Sequence, residues 1–241
     1  MRFPFPRRAA IALCLSLGCM TPVMAEVSIT YSIPGVSFGL NLGGYPVLQR
    51  IPGYPVYYAP RLDRNYFFYD GLYWVFEDDT WYASSWYNGP WGRVDPFYVP
   101  DYLLRVPVRY YRRAPAYFRG WRVDAPPRWD EHWGRSWQER RQDWNRWDRR
   151  RSPAPAPLPT YQRNYRGDRY PGPSAQGDLH IRNYRYQPRE AVSREHFRER
   201  RQEAESARAR RDAGVPEQRQ ERRDREEPYR PQGSPKDYSP G

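Results

Sequence analysis

The sequence predicts a β-rich α+β fold: a small antiparallel β-meander covered by a tryptophan-striped helix, followed by a largely disordered or helical arginine-rich tail. Three observations predict it. Residues 65–95 hold short aromatic and β-branched runs separated by two-residue turn signals, the pattern of a meander. Five tryptophans between Trp129 and Trp147 recur at helical spacing. After Arg151 the chain turns proline-rich, then polar and densely charged, with too little apolar content for a core of its own.

Residues 1–25 read as a signal peptide. Arg7 and Arg8 precede an apolar stretch from Ala9 to Met20, and Val23 and Ala25 stand at the −3 and −1 positions of a cut before Glu26. Both cysteines, Cys14 and Cys19, fall inside this leader, so the cleaved chain has no disulfide, thiolate metal site or cysteine nucleophile. The expected location is periplasmic or secreted. The alternatives are an uncleaved anchor or lipidation at Cys19, where Leu17-Gly18 fit a lipobox but Ser16 does not. No later stretch approaches the roughly 20 apolar residues of a transmembrane helix.

Residues 26–151 are the expected folded region. From Val27 to Leu42 apolar residues keep period two in short pieces, and Pro46, Pro52 and Pro55 then favour edge or irregular segments. Asn65–Tyr69 and Leu72–Phe76 flank Asp70-Gly71, a dipeptide suited to a type I′ hairpin turn. Asp78-Asp79 closes the second strand, Trp81–Tyr87 makes a third, and Asn88-Gly89 leads into Trp91–Val94. A short helical turn at 99–104 ends before Pro107. A longer helix is expected over 128–150, where Trp129, Trp133, Trp137, Trp144 and Trp147 share an arc of about 80° at 100° per residue. Gly134 weakens that helix.

Beyond it, residues 152–187 read as a Pro-rich and polar linker opening on polyproline II, 188–213 as a charged helix and 214–241 as a disordered tail. The segment from Ser152 onward carries 19 basic and 14 acidic groups, so by total charge it is a mixed polyampholyte. The whole chain is +12, with Lys236 its one lysine, and is +9 without the leader. Exported and of mixed tail charge, the protein is not expected to bind nucleic acid.

The catalytic signatures sought are absent: no Gly-rich phosphate loop, nucleophile elbow or H-E-x-x-H. His132, His180 and His196 are too scattered to suggest a metal cluster, and Asp78-Asp79 reads as a turn rather than a catalytic pair. No catalytic residue, metal or cofactor is assigned. Two candidate binding features stand out. Arg105, Arg109, Arg112, Arg113, Arg119 and Arg122 occur without an acid among interleaved aromatics, a candidate anion-binding run. The sheet aromatics Tyr66, Tyr69, Tyr73, Trp74, Trp81, Trp86, Tyr87 and Trp91 exceed what one small face hides, so either a second layer covers them or they form an exposed platform for stacking on a ligand, with Trp74, Trp81, Trp86 and Trp91 as its candidate residues.

Tyr54–Pro60, Tyr66–Trp74 and Trp81–Trp91, with Val106–Tyr111 and Pro127–Trp133 after them, form a pattern that resembles a group of uncharacterised exported proteobacterial proteins over roughly residues 27–150. The resemblance implies export and assigns no activity and no site residue. Taken together, the sequence implies a non-enzymatic cell-envelope protein with a structural or binding role toward an envelope protein, an anionic glycan or a lipid headgroup. A carbohydrate- or peptidoglycan-binding module accessory to a hydrolase is the alternative.

Overall fold

The computed structural model describes residues 40–226. The leader, the alternating segment before Leu40 and the last 15 positions, 227–241, lie outside the described residues. Six antiparallel strands form one open sheet in sequence order: β1 (Gln49–Arg50), β2 (Tyr57–Tyr58), β3 (Asn65–Tyr69), β4 (Leu72–Glu77), β5 (Thr80–Ser84) and β6 (Gly92–Val94). The meander expected from the turn signals is therefore present, with two short strands, β1 at the sheet edge and β2 inside it, added ahead of it in the proline-rich segment.

The central hairpins follow from their turns. Tyr69 pairs with Leu72 across Asp70-Gly71, whose φ values of 52° and 85° are the paired left-handed conformations of a type I′ turn. Glu77 pairs with Thr80 across Asp78-Asp79, both also at positive φ. Aspartate tolerates this region better than most residues with a β-carbon, because its short polar side chain bonds locally. The third link differs from expectation. β5 stops at Ser84, and residues 85–91, including a cis Gly89–Pro90 bond, form a longer loop before β6.

Period-two alternation splits the aromatics between two faces. Phe67, Tyr69, Leu72, Trp74, Phe76, Trp81 and Ala83 lie on the first, and Tyr66, Phe68, Tyr73 and Val75 on the second. Both faces are covered. The first receives α1 (Asp101–Leu104), the turns at Val108–Tyr110 and Ala116–Phe118, and two short helices, α2 (Trp129–Trp133) and α3 (Arg135–Arg140). Asn65 ties this cover to the sheet, its side chain exchanging hydrogen bonds with the Arg113 backbone at 2.7 and 2.8 Å.

The single helix expected over 128–150 is instead two helices and a set of turns. Gly134, at φ 79° and ψ −177°, ends α2 and begins α3, and α3 itself stops at Arg140. The tryptophan stripe nonetheless survives as a chain of rings. Trp129 stacks on Trp133 at 4.4 Å, Trp133 meets Trp137 at 5.0 Å, and Trp137 meets Trp144 at 5.9 Å. Trp129, Trp137 and Trp144 are buried, while Trp133 and Trp147 are partly so. Burial of the rings, not helical continuity, sets the conformation of this segment.

The second face is covered by the segment expected as a linker. Ala156 and Tyr184 are buried there, with Leu158, Tyr161, Tyr170, Tyr186 and Phe197 packed around them. Polar side chains fasten this layer to loop 85–91. Gln162 is fully buried, accepting from the Tyr87 N–H at 3.2 Å and donating to the Ser85 carbonyl at 2.8 Å. Trp86 Nε1 donates to the Gln176 carbonyl, and Gln176 donates to the Gly89 carbonyl at 3.1 Å. A linker was expected because residues 152–187 lack apolar periodicity; tyrosine rings and buried amides take its place. The segment contains α4 (Pro173–Asn183). The charged helix, α5 (Ala191–Glu226), continues through positions 214–226 that were expected as disordered tail.

Candidate functional site

The docking of α5 begins at the β3–β4 turn. Asp70, 2 % exposed, accepts hydrogen bonds from the Tyr186 hydroxyl at 2.8 Å and from the N–H groups of Arg189 at 3.0 Å and Glu190 at 2.8 Å. These N–H groups belong to the two residues just before α5, beside a helix N-terminus whose dipole favours an anion. Tyr69 donates to Glu190 Oε1 at 2.6 Å. Gly71 completes the contact. A β-carbon there would lie 3.1 Å from the Phe197 ring and from Tyr186, so the turn needs glycine for space as well as for φ.

Helices α4 and α5 pack at close range, for a β-carbon on Gly177 would stand 3.0 Å from that of Ala204 and 3.1 Å from the Arg200 carbonyl oxygen. His180 on α4 is buried, its ring stacked on Phe197 at 4.7 Å and its Nδ1 3.1 Å from the Tyr161 hydroxyl. Burial holds its pKa down to about 4, which keeps the imidazole neutral near pH 7. His196 is likewise buried and its pKa pushed down by burial and by Arg200.

Outward of this contact lies a groove of about 760 Å³. Its apolar and aromatic lining includes His180, Tyr184, Tyr186, Phe197 and Ala204. Arg185, Arg194, Arg198, Arg201 and Arg208 also line it, with Glu205 the one acid. Four of these arginines come from α5, at spacings of 4, 3 and 7 residues that keep them on one side of the helix. Arg198 pairs with Glu195 at 2.6 Å, Arg208 pairs with Asp178 at 2.8 Å, and Arg194 donates to the Arg189 carbonyl. Arg185 and Arg201 are exposed and make no ion pair among the described residues. Guanidiniums around an apolar lining suit an anion with an apolar portion.

The candidate anion-binding run is not brought together as one site. Arg105 is 5 % exposed and holds the cover of the first face, donating to the Trp144 carbonyl, to Asp101 at 2.9 Å and to the Arg146 carbonyl at 3.3 Å. Its guanidinium also lies over the Tyr102 and Trp147 rings. Arg109 pairs with Asp124, and Arg113 joins Arg64 on Glu77 Oε1. Arg112, Arg119 and Arg122 are exposed at separate points of the 112–122 segment. The candidate platform is also unavailable, because Trp74, Trp81 and Trp86 are fully buried and Trp91 is 9 % exposed. The surplus of aromatics fills two faces of a sheet rather than presenting one to solvent.

Asp78-Asp79 forms the expected turn and does one further thing. Asp79 Oδ1 accepts from the Tyr117 hydroxyl and from His132 Nε2, each at 2.7 Å, while the Tyr117 and His132 rings stack at 4.0 Å. Burial and the Asp79 carboxylate push the Tyr117 hydroxyl pKa up, so it remains a donor. This clamp fixes α2 to the β4–β5 hairpin. Among the described residues no three His, Cys, Asp or Glu side chains are grouped to hold a metal ion, and no helix is long and apolar enough to cross a membrane.

The groove has no motif in the sequence. Its residues fall in the segments expected as linker and charged helix, where the summed charge is only +5. The spacing of Arg194, Arg198, Arg201 and Arg208 was the available signal. No protein-family model, curated protein or solved structure matches the chain, so the reading of the groove rests on its own geometry.

Proposed function

We propose that this chain is an exported, non-enzymatic module of the cell envelope that binds an anionic ligand in the groove between α4 and α5. The observation that carries this reading is the convergence of five arginines on an aromatic lining in which Glu205 is the one acid, with Arg198 and Arg208 paired to Glu195 and Asp178 and Arg185 and Arg201 in no ion pair among the described residues. The leader pattern of residues 1–25 supports the location. General acid–base chemistry at the groove would need a proton carrier poised near the working pH. Its histidine is instead buried, neutral and set against Tyr161. The carbohydrate-module alternative drew on a tryptophan platform, and burial of Trp74, Trp81, Trp86 and Trp91 removes that support.

The test is calorimetric titration of the protein with dextran sulfate, a linear polyanion, at two salt concentrations. The double variant Arg185→Glu/Arg201→Glu is expected to weaken binding at least tenfold. Arg112→Glu/Arg122→Glu, an equal charge change elsewhere, is expected to stay within about twofold once the salt dependence is matched. Loss of binding in the second variant and not the first would overturn the assignment.

A further inference from the structure

We infer that the groove takes an acidic peptide strand of a partner protein, one whose carboxylates alternate with apolar side chains. This rests on the anion-binding reading above and narrows it to one ligand class. The groove is long enough for a strand. From Arg194 to Arg208 the lining face of α5 rises about 21 Å at 1.5 Å per residue, which is the length of roughly six residues of extended chain at about 3.4 Å each. At about 100° per residue, Phe197, Arg194, Arg198, Arg201 and Arg208 fall within roughly 100° of arc. The lining is thus an elongated track rather than a point site.

The lining also combines two chemistries: the guanidiniums of Arg194, Arg198, Arg201 and Arg208 from α5 and of Arg185 from the connection before it, and the rings of Tyr184, Tyr186 and Phe197. Successive side chains of an extended strand point to opposite sides, so carboxylates at alternate positions, about 6.8 Å apart, meet arginine while their neighbours meet the rings. Arginine binds carboxylate through two parallel N–H donors, which rewards discrete acids in register over diffuse charge.

Tyr184 is 9 % exposed and Tyr186 and Phe197 are half-buried, whereas the lining arginines are exposed, so the apolar surface of the groove is less open than its charges. A flat bilayer surface meets the charges more than the rings. A polysaccharide acid supplies charge without apolar side chains. Arg185 and Arg201, free of ion pairs among the described residues, are the first anchors. Arg198 and Arg208 exchange Glu195 and Asp178 for ligand carboxylates.

The experiment is fluorescence anisotropy of the full chain with labelled synthetic dodecapeptides. One alternates glutamate and leucine, one alternates glutamine and leucine, and one is polyglutamate. Phosphatidylglycerol vesicles and a thymidine oligonucleotide serve as competitors. The alternating acidic peptide is expected to bind at least tenfold more tightly than polyglutamate, and the neutral peptide not measurably. Arg185→Glu/Arg201→Glu is expected to weaken it at least tenfold, with Arg185→Gln/Arg201→Gln showing a smaller loss and unchanged circular dichroism for both. Polyglutamate binding as tightly as the alternating peptide would overturn the inference while leaving an anion site in place. So would vesicles or oligonucleotide displacing the peptide through the same two arginines. If no anion responds to either double variant, the inference and the reading beneath it both fall.

Discussion

Asp70 adopts φ 52° because the two-residue turn requires it, and the same carboxylate then receives Tyr186, Arg189 and Glu190 from more than a hundred residues away. The local half of this was legible in the dipeptide Asp70-Gly71. The distant half was not, since nothing in a turn signal says which helix end will come to it. His180 is the converse case, an unremarkable histidine in sequence that becomes buried between helices. Its folded pKa of about 4 lies below the unfolded value of about 6.5. The contribution of the neutral ring is therefore whole above pH 6.5 and is lost as pH falls toward 4, about 3 kcal/mol in all by linkage. Glu199, raised to about 7 by burial and by Glu195, works in the opposite sense over part of that range. The comparison must therefore isolate the histidine. Denaturant unfolding at pH 7 and pH 4 is expected to show wild type losing about 3 kcal/mol more than His180→Gln. Equal losses in the two proteins would contradict the burial assigned to this ring.

Among elements, the tryptophan segment shows what periodicity reports. The 4, 4, 7, 3 spacing of Trp129 to Trp147 named the buried side correctly for Trp129, Trp137 and Trp144, because rings that share a face remove the most apolar surface from water together. It did not reveal the break at Gly134, where a residue with positive φ ends one helix and starts the next. Trp137 is fully buried against Trp133 and Trp144 and donates to the Pro96 carbonyl at 3.2 Å. Replacing it with alanine is expected to destabilise the protein by about 3–5 kcal/mol, read as a lowered denaturation midpoint. A midpoint unchanged within about 0.5 kcal/mol would mark the stripe as a docking surface instead.

Across the whole molecule, the sheet is the middle of three layers. A meander with one polar face would need one cover; this meander is aromatic on both faces and takes two. The first cover was legible because it is tryptophan-rich and follows the sheet directly. The second was not, because its burial uses tyrosine rings and amides such as Gln162 and Gln176, which composition counts as polar. The arginine groove escaped notice for a related reason. Charges that nearly cancel along the chain are spread around the helix, which brings Arg194, Arg198, Arg201 and Arg208 to one side, and only the fold displays that grouping.

The claim on which the fold and the groove both depend is that the chain beyond Arg151 is a structural layer and not an appendage. Truncation after Arg151 tests it most directly, with thermal unfolding followed by near-ultraviolet circular dichroism and binding of a hydrophobic dye. The three-layer fold predicts that the truncated chain exposes Tyr66, Phe68, Tyr73 and Val75, binds the dye and loses the cooperative transition of the full chain. A truncated chain that unfolds cooperatively at the full-length midpoint, without binding dye, would contradict it.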